Sequence, residues 1–151
     1  MKPETQRLLL KVSRDCVAGN LRRATRAVSA IYDQEMAGAG VRGTQFSVLT
    51  ALALAEELPV GRLAEILGLE RTTLTRNLLP LVRDGLVEDV PASDARVRLV
   101  RLTAEGRRVV GEALPRWERA QARVLRELGL ARAGELLEGL RAAAALASAS
   151  E

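Results

Sequence analysis

The chain has 151 residues, of which 48% are hydrophobic and 28% are charged, enough for one domain with a core or for two small lobes. It contains 23 lysine and arginine residues, 19 aspartate and glutamate residues, no histidine and a single cysteine. An intramolecular disulfide and any catalytic arrangement built on histidine are therefore excluded, and a zinc site of the usual Cys/His kind is not expected. We expect no metal, no cofactor and no enzymatic activity.

The apolar runs of the chain predict where the protein is found. No run reaches the ~18 residues needed to span a bilayer. Charged residues interrupt the first apolar run too early for a signal peptide. The sequence therefore predicts a cytoplasmic protein without a membrane partner.

The basic residues are nearly all arginines, because lysine occurs only at positions 2 and 11. The net charge of +4 reflects either a compositional bias toward arginine, alanine and leucine or a polyanionic partner. Net charge alone does not separate these two explanations. The positions of the arginines on the predicted helices and strands are more informative.

The first half of the chain is predicted to be helical. A long helix is expected over residues 5–37, and a glycine-rich break over residues 37–43 ends it. Thr44 is expected to cap the second helix, which a short extended link at residues 58–61 follows. Two further helices are predicted over residues 60–69 and 71–85.

The hydrophobic period changes in the second half of the chain. The β-branched runs at residues 86–90 and 97–102 flank a polar segment at residues 91–96, which predicts a hairpin with a long tip. Thr103 is the predicted N-cap of a long helix, in which Pro115 is expected to cause a kink or a restart. A last helix is predicted over residues 131–149.

The two ends of the chain are predicted to be long amphipathic helices. A lobe formed by the middle of the chain is too small to cover their apolar stripes, and such stripes usually need a partner. A second copy of the same chain, packed about a two-fold axis, is the economical partner. The alternative is that the two ends pack against each other within one chain.

The pair of helices over residues 60–85 has the pattern of a helix-turn-helix. Ala64 is small enough for a close helix crossing, Gly68 suits the positive φ of a tight turn, and Leu74 is placed to be buried between the helices. In the second helix, a rotation of ~100° per residue places apolar and polar residues on opposite sides. The apolar side holds Leu74, Leu78, Leu81 and Val82; the polar side holds Thr72, Thr73, Arg76, Pro80 and Arg83, flanked by Thr75 and Asn77.

The polar side of this helix suits the major groove of DNA. Short hydroxyl side chains approach base edges closely, and an arginine reaches guanine or a phosphate. The segment between Arg71 and Arg83 contains no carboxylate that would repel phosphates. The alternative is an ordinary solvated side, although such a side usually carries glutamate as well, as residues 104–127 do.

The tip of the predicted hairpin carries Arg96. An arginine on a protruding loop can enter the narrow minor groove, where the negative potential is strongest, and Asp94 is close enough to hold this arginine or the loop backbone. The alternative is that both residues only form the turn and are solvated. Arg98 and Arg101, on the returning strand, either contact phosphates or face water.

With these segments, the sequence resembles the MarR family of bacterial transcriptional regulators. The resemblance lies in LAEILGLERTTLTRNLLPLVRDGLVE (63–88) and DARVRLVRLTAEG (94–106). It implies a mainly α fold with a small β-hairpin wing, that is, a winged helix-turn-helix with long terminal dimerisation helices. It further implies a DNA-binding lobe at residues 44–108, a dimerisation region at residues 1–36 and 109–151, and an effector pocket between them.

The resemblance also implies roles for individual residues. Arg96 is expected to enter the minor groove, with Asp94 beside it. Two positions depart from the expected pattern: Glu70 is a poor N-cap for the second helix of the motif, and the first helix, starting at Val60, lacks a Ser or Thr cap. The residues expected to read the major groove are Thr72, Thr73, Thr75, Arg76 and Asn77, with Arg83 close to them.

The predicted function is that of a homodimeric DNA-binding regulator, a repressor of a pseudo-palindromic operator that a small-molecule effector releases. One alternative is an oxidant sensor that uses Cys16, although this cysteine also fits as a small buried hydrophobe. Another is a winged-helix interaction module that does not contact DNA. Tyr32 and Trp117 either line an effector pocket or belong to the core. The sequence does not identify an effector.

Overall fold

The computed structural model describes residues 1–94 and 96–148. Residues 95 and 149–151 lie outside the described residues. Residue 95 belongs to the predicted hairpin tip, and residue 149 is the last residue of the predicted C-terminal helix. The fold is mainly α with a small antiparallel sheet, as predicted. The helices are α1 (Pro3–Asp15), α2 (Val17–Met36), α3 (Gly43–Ala53), α4 (Val60–Leu67), α5 (Arg71–Arg83), α6 (Ala104–Leu128) and α7 (Leu130–Ser148), and the strands are β1 (Leu58–Pro59), β2 (Val87–Val90) and β3 (Leu99–Leu102).

The core lies in the middle of the chain, where α3, α4, α5, the sheet and the first half of α6 meet. Leu49, Leu63 and Leu74 are fully buried there, and none of the buried side chains among the described residues is polar or charged. Burying one leucine stabilises a fold by about 1.5–3 kcal/mol, so these contacts fix the orientation of α5. No helix among the described residues is long and apolar enough to cross a membrane.

The sheet has three strands in the order β1-β3-β2. The predicted hairpin is formed by β2 and β3, which are shorter than the predicted apolar runs and pair with Glu88 opposite Arg101. The expected extended link becomes a third strand, because Leu58 pairs with Val100 and the Val60 N–H donates to the Arg98 carbonyl at 2.9 Å. The helix-turn-helix and the hairpin are thus joined through one sheet.

The prediction of one helix over residues 5–37 is wrong, because the chain bends at Cys16. Cys16 has extended backbone angles, with φ −65° and ψ 111°. The side-chain amide of Asn20 donates to the carbonyls of Arg14 and Cys16 at 2.9 and 3.0 Å. The bond to Arg14 satisfies a carbonyl that the break leaves without a helical partner, whereas the Cys16 carbonyl also accepts from the Asn20 backbone N–H at 3.0 Å. A break of one residue leaves the hydrophobic period almost unchanged.

The prediction of Thr44 as the cap of α3 is also wrong. The helix begins one residue earlier, and the Gly43 N–H donates to the carboxylate of Asp33 at 2.7 Å. The side chain of Gln45 accepts from the Arg42 N–H at 2.9 Å. Because Asp33 belongs to α2, the start of α3 is fastened to another helix.

Helix α6 starts as predicted but does not restart at its proline. The Thr103 hydroxyl accepts from the Gly106 N–H at 3.0 Å and donates to the Gly85 carbonyl at 2.6 Å. The helix then continues through Pro115 to Leu128. A proline removes one backbone hydrogen bond, and buried alanines on both sides of it, Ala113 and Ala120, hold the two halves against the protein.

Candidate nucleic-acid interface

Helices α4 and α5 form the predicted helix-turn-helix. Gly68 adopts the left-handed conformation with φ 61°, and the Leu69 N–H donates to the Ala64 carbonyl at 2.9 Å across the turn. Ala64 and Leu74 are buried where the two helices meet. A side chain at position 68 would be strained, so the turn holds α5 at a defined angle to α4.

The two sides of α5 are arranged as the helical period predicts. Leu74, Leu78 and Leu81 are buried, and the partly buried Val82 packs against the same core. The opposite side carries Thr72, Thr73, Arg76 and Arg83, which are exposed, with Thr75, Asn77 and Pro80 half-buried at its border. The groove-reading residues of the prediction are therefore accessible, and their contacts with DNA stay a prediction.

The hydrogen-bonding capacity of this side differs from residue to residue. The Thr75 hydroxyl donates to the Arg71 carbonyl at 2.8 Å, so it remains available only as an acceptor. Within residues 1–94 and 96–148, the side chains of Thr72, Thr73 and Asn77 make no hydrogen bond. These three can donate to, or accept from, a ligand without breaking an internal bond.

The arginines of α5 fall into two classes. Arg71 and Arg76 have no ion-pair partner in the described part of the chain. Arg83 pairs with Asp84 at 2.9 Å, and the hydrogen bond to that carboxylate raises the pKa of Arg83. Arg76 can therefore bind a base or a phosphate directly, whereas Arg83 must first leave a carboxylate that lies just beyond the carboxylate-free segment.

The N-terminal end of α5 has no side-chain cap. Glu70 occupies the N-cap position without accepting a hydrogen bond from the first turn, as expected for glutamate. The amide N–H groups of the first turn therefore carry the positive end of the helix dipole without a carboxylate bound to them. This end, next to Arg71, favours an anionic neighbour.

Arg96, at the tip of the hairpin, is hydrogen-bonded to Asp94. The Asp94 carboxylate accepts from the Arg96 backbone N–H at 2.9 Å and from its guanidinium at 3.1 and 3.0 Å. These bonds lower the pKa of Asp94, and the Arg96 side chain is 90% exposed. Asp94 thus holds both the arginine and the loop backbone, the two roles that were predicted for it.

Arg98 and Arg101 are paired across the hairpin. The Arg98 guanidinium lies 2.6 Å from Asp89, and that of Arg101 lies 2.7 Å from Glu88. Hydrogen bonding to Glu88 raises the pKa of Arg101. Arg98 and Arg101 are thus each paired with a carboxylate, as Arg96 is at the tip, and Arg96 differs from them mainly in its greater exposure.

A cavity of about 700 Å³ lies between α2, α3, α4 and α6. Tyr32 and Trp117 both line it, and Asp33 is the one charged residue in the described lining. A second cavity of about 280 Å³ lies between α2, α6 and α7. Tyr32 borders both cavities, its hydroxyl donates to the side chain of Gln121, and burial raises the pKa of Tyr32.

Cys16 is a half-buried free thiol at the bend between α1 and α2, and the described residues contain no group of side chains that could hold a metal ion. Leu79, which is absent from the predicted site, is 60% exposed on α5. The same helical period that placed Thr72 and Arg76 would have placed Leu79 beside them.

Comparisons with known proteins identify this arrangement. A model of the MarR family matches residues 39–96. The transcriptional regulator MosR of M. tuberculosis, solved in complex with DNA, is 37% identical with a TM-score of 0.71, over 84% of this chain and 99% of that chain. The repressor CouR, bound to a 23-mer DNA duplex, is 26% identical with a TM-score of 0.78, over 89% of this chain and 95% of that chain.

A regulator with a bound ligand is similar as well. PcaV from Streptomyces coelicolor, in complex with its natural ligand, is 26% identical with a TM-score of 0.79, over 93% of this chain and 96% of that chain. No curated protein matches the chain. The matches to the family model and to almost the full length of MosR, with the winged helix-turn-helix described above, show that the chain belongs to the MarR family of transcriptional regulators, which are not enzymes.

Proposed function

We propose that the protein is a homodimeric repressor that binds a pseudo-palindromic operator and is released by a small molecule. The observation that carries the proposal is the exposed side of α5, which lacks carboxylates. On this side Thr72, Thr73, Arg76 and Asn77 have side chains without a partner among the residues that the structure describes. On this proposal residues 44–108 form the DNA-binding lobe. The major-groove contacts come from Thr72, Thr73, Thr75, Arg76 and Asn77.

The remaining predicted residues contact the DNA backbone and the minor groove. Arg83 lies toward the end of α5, where it reaches a phosphate once it leaves Asp84. Arg96 enters the minor groove beside the half-site, and Asp94 keeps the tip in shape while it does so. MosR and CouR, which were both solved with DNA, support DNA binding by a chain of this fold.

The terminal helices support a homodimer. Helix α1 contributes no buried residue within the chain, and Leu8, Leu9, Leu10 and Val12 are each more than half exposed. The ends do pack against each other in part, since Arg119 on α6 lies 3.4 Å from Glu35 on α2. This packing leaves α1 uncovered, so we assign residues 1–36 and 109–151 to a dimer interface.

Breaking the apolar side of α1 should separate the dimer. The double variant Leu8→Glu/Val12→Glu places two carboxylates one turn apart, and burying each original side chain is worth about 1.5–3 kcal/mol. We expect the dissociation constant of the dimer to rise at least about tenfold, and sedimentation equilibrium measures it. Leu54→Glu, at an exposed leucine outside the terminal helices, should leave the mass unchanged. A double variant that stays dimeric at every concentration would contradict the assignment of α1 to the interface.

The larger cavity is the candidate effector site. PcaV, with a bound natural ligand, supports a ligand site in this fold. In the described lining the hydroxyls of Ser47 and Thr50 donate to the carbonyls of Gly43 and Phe46, and the only charge is that of Asp33. This lining has no basic group to balance an anion, so we propose an apolar effector that is neutral or positively charged.

Trp117 provides a direct test of this ligand class. It is the single tryptophan and lines the cavity, so its fluorescence should change when an arylmethylammonium ion binds and should change little with the arylcarboxylate of the same size. Asp33→Asn keeps an oxygen acceptor for Gly43 but loses the charge, and we expect it to reduce cation affinity several-fold. Equal or tighter binding of the carboxylate would overturn the proposed class.

The two alternative functions have no supporting observation of their own. An interaction module without DNA contact leaves the carboxylate-free side of α5 without a role. An oxidant sensor would need a stabilised thiolate at Cys16, and a sequence with one cysteine offers no second thiol to resolve a sulfenic acid within the chain.

Equilibrium binding tests the proposed function. The protein is titrated onto the DNA upstream of its own gene at three salt concentrations, with random duplex as competitor. We expect preferential binding, with the logarithm of the affinity falling linearly with the logarithm of the salt concentration. Binding equal to that of random duplex, at each salt concentration and for each candidate upstream region, would contradict it.

A further inference from the structure

We propose that Leu79 reads a thymine methyl group in the major groove and so specifies one base pair in each half-site. This inference rests on the proposed function. Leu79 lies in the middle of the polar, carboxylate-free side of α5, whereas the three other leucines of this helix, Leu74, Leu78 and Leu81, lie on the opposite side and are fully buried.

The helical period places Leu79 in the centre of the proposed DNA-binding side. It follows Thr72 by seven residues, which is almost two full turns, and therefore points in nearly the same direction. It follows Arg76 by three residues and precedes Arg83 by four, so all three side chains are neighbours on the helix surface. Any surface that contacts both arginines of this side also covers Leu79.

The exposure of Leu79 is not explained by the other apolar features of the protein. Leu79 is 60% exposed and does not belong to the partly buried residues that pack against the core. It lines neither of the two cavities. Its methyl groups therefore remain in water in the free protein. Covering them with a ligand removes apolar surface from water, which lowers the free energy of the complex.

The surroundings select a nucleic acid as the covering ligand. Arg76 has no ion-pair partner in the described part of the chain, the first turn of α5 has no side-chain cap, and residues 71–83 contain no carboxylate. An apolar protein surface would leave these positive groups without partners. A polyanion balances them, and in the major groove the C5-methyl of thymine is the apolar group that the base edges present.

The spacing assigns Thr72 and Leu79 to different base pairs. Seven residues correspond to a rise of about 10.5 Å along the helix, close to the length of three base-pair steps of about 3.4 Å each. Thr72, at the start of α5, and Leu79, two turns later, would therefore address separate positions of the same half-site. Arg76 lies between them.

Replacing thymine by deoxyuridine tests the contact, because it removes only the methyl group. Each thymine of the bound operator is replaced in turn, at symmetric positions in both half-sites, and the affinity is measured. We expect one position at which the wild-type protein loses about fourfold per half-site, the value for burial of one methyl group at ~0.8 kcal/mol. Leu79→Ala should bind the thymine and deoxyuridine operators equally.

Two further variants secure the interpretation. Leu79→Gln keeps the size of the side chain and removes its apolar character, so it should also fail to distinguish the two operators. Leu54→Ala, at an exposed leucine outside α5, should discriminate as the wild type does. Indifference of the wild type to every deoxyuridine, or unchanged discrimination by Leu79→Ala, would overturn the role of Leu79. A wild-type protein without any specific operator would instead overturn the proposed function beneath it.

Discussion

Replacing Arg76 by alanine should weaken operator binding more than the same change at Arg83. Arg76 is exposed and unpaired among the described residues, so the variant loses a contact to a base or a phosphate that needed no internal rearrangement. One such contact is worth about 1–3 kcal/mol, which corresponds to a loss of roughly tenfold to a hundredfold in each half-site. Arg83 already has Asp84 as a partner at 2.9 Å, so its DNA contact replaces an existing ion pair.

Fluorescence anisotropy with labelled operator measures both variants. Arg42→Ala removes one positive charge at an exposed residue outside α5, the hairpin and the terminal helices. It serves as the control for net charge, with an expected change of less than about twofold for a distant surface residue. The slope of affinity against salt separates a phosphate contact, which lowers the slope, from a base contact, which leaves it unchanged. An Arg76→Ala variant with wild-type affinity at all salt concentrations would remove the central residue from the proposed interface.

Replacing Gly106 by alanine should cause the largest loss of stability among the glycines. A β-carbon at this position would lie 2.1 Å from the backbone oxygen of Leu86 and 3.1 Å from the side chain of Leu102. The same Leu86 oxygen accepts from the Thr103 N–H at 3.1 Å, so the first turn of α6 cannot move away without breaking the junction to the hairpin. Forcing extra volume into such a site costs about 1–3 kcal/mol, and more where backbone must shift.

Gly111 offers a matched control on the same helix. A β-carbon there would meet no atom within 4 Å, so Gly111→Ala should stabilise the protein by up to about 1 kcal/mol through helix propensity. Urea unfolding followed by circular dichroism gives both free energies. Equal stability of the two variants would contradict the close approach of α6 to the start of β2.

The hydrophobic period and the turn residues made much of the helix-turn-helix and of the start of α6 predictable. Leu74, Leu78 and Leu81 are buried as their spacing predicts, Gly68 adopts a positive φ, and Thr103 caps α6. These features depend on residues close in sequence, so local rules describe them. The position of Arg96 beside Asp94 is local for the same reason.

Features that depend on distant contacts could not be predicted. The cap of α3 comes from Asp33, ten residues before Gly43, and no local pattern marks it. Strand β1 has two residues, too few to show a period. The partners of Arg98 and Arg101 depend on the register of the hairpin, which the sequence of a long polar tip leaves open.

The bend at Cys16 was missed for a different reason. Apolar residues keep a helical spacing on both sides of the bend, so the pattern does not mark it. The side chain that bonds to carbonyls at the bend is the amide of a single residue, Asn20. Asparagine favours helix ends and turns over helix interiors, but the sequence alone does not show which carbonyls its amide reaches. The bend separates α1 from α2, and α1 is the helix that we propose packs against the partner subunit.

The central claim is that two copies of α5 read a two-fold symmetric DNA site. Selection of bound duplexes from a pool of random sequences, followed by sequencing, tests it most directly. We expect enrichment of an inverted repeat whose half-sites are centred about one helical turn, 10–10.5 base pairs, apart. Enrichment of an unrepeated site, or of no sequence at all, would contradict it.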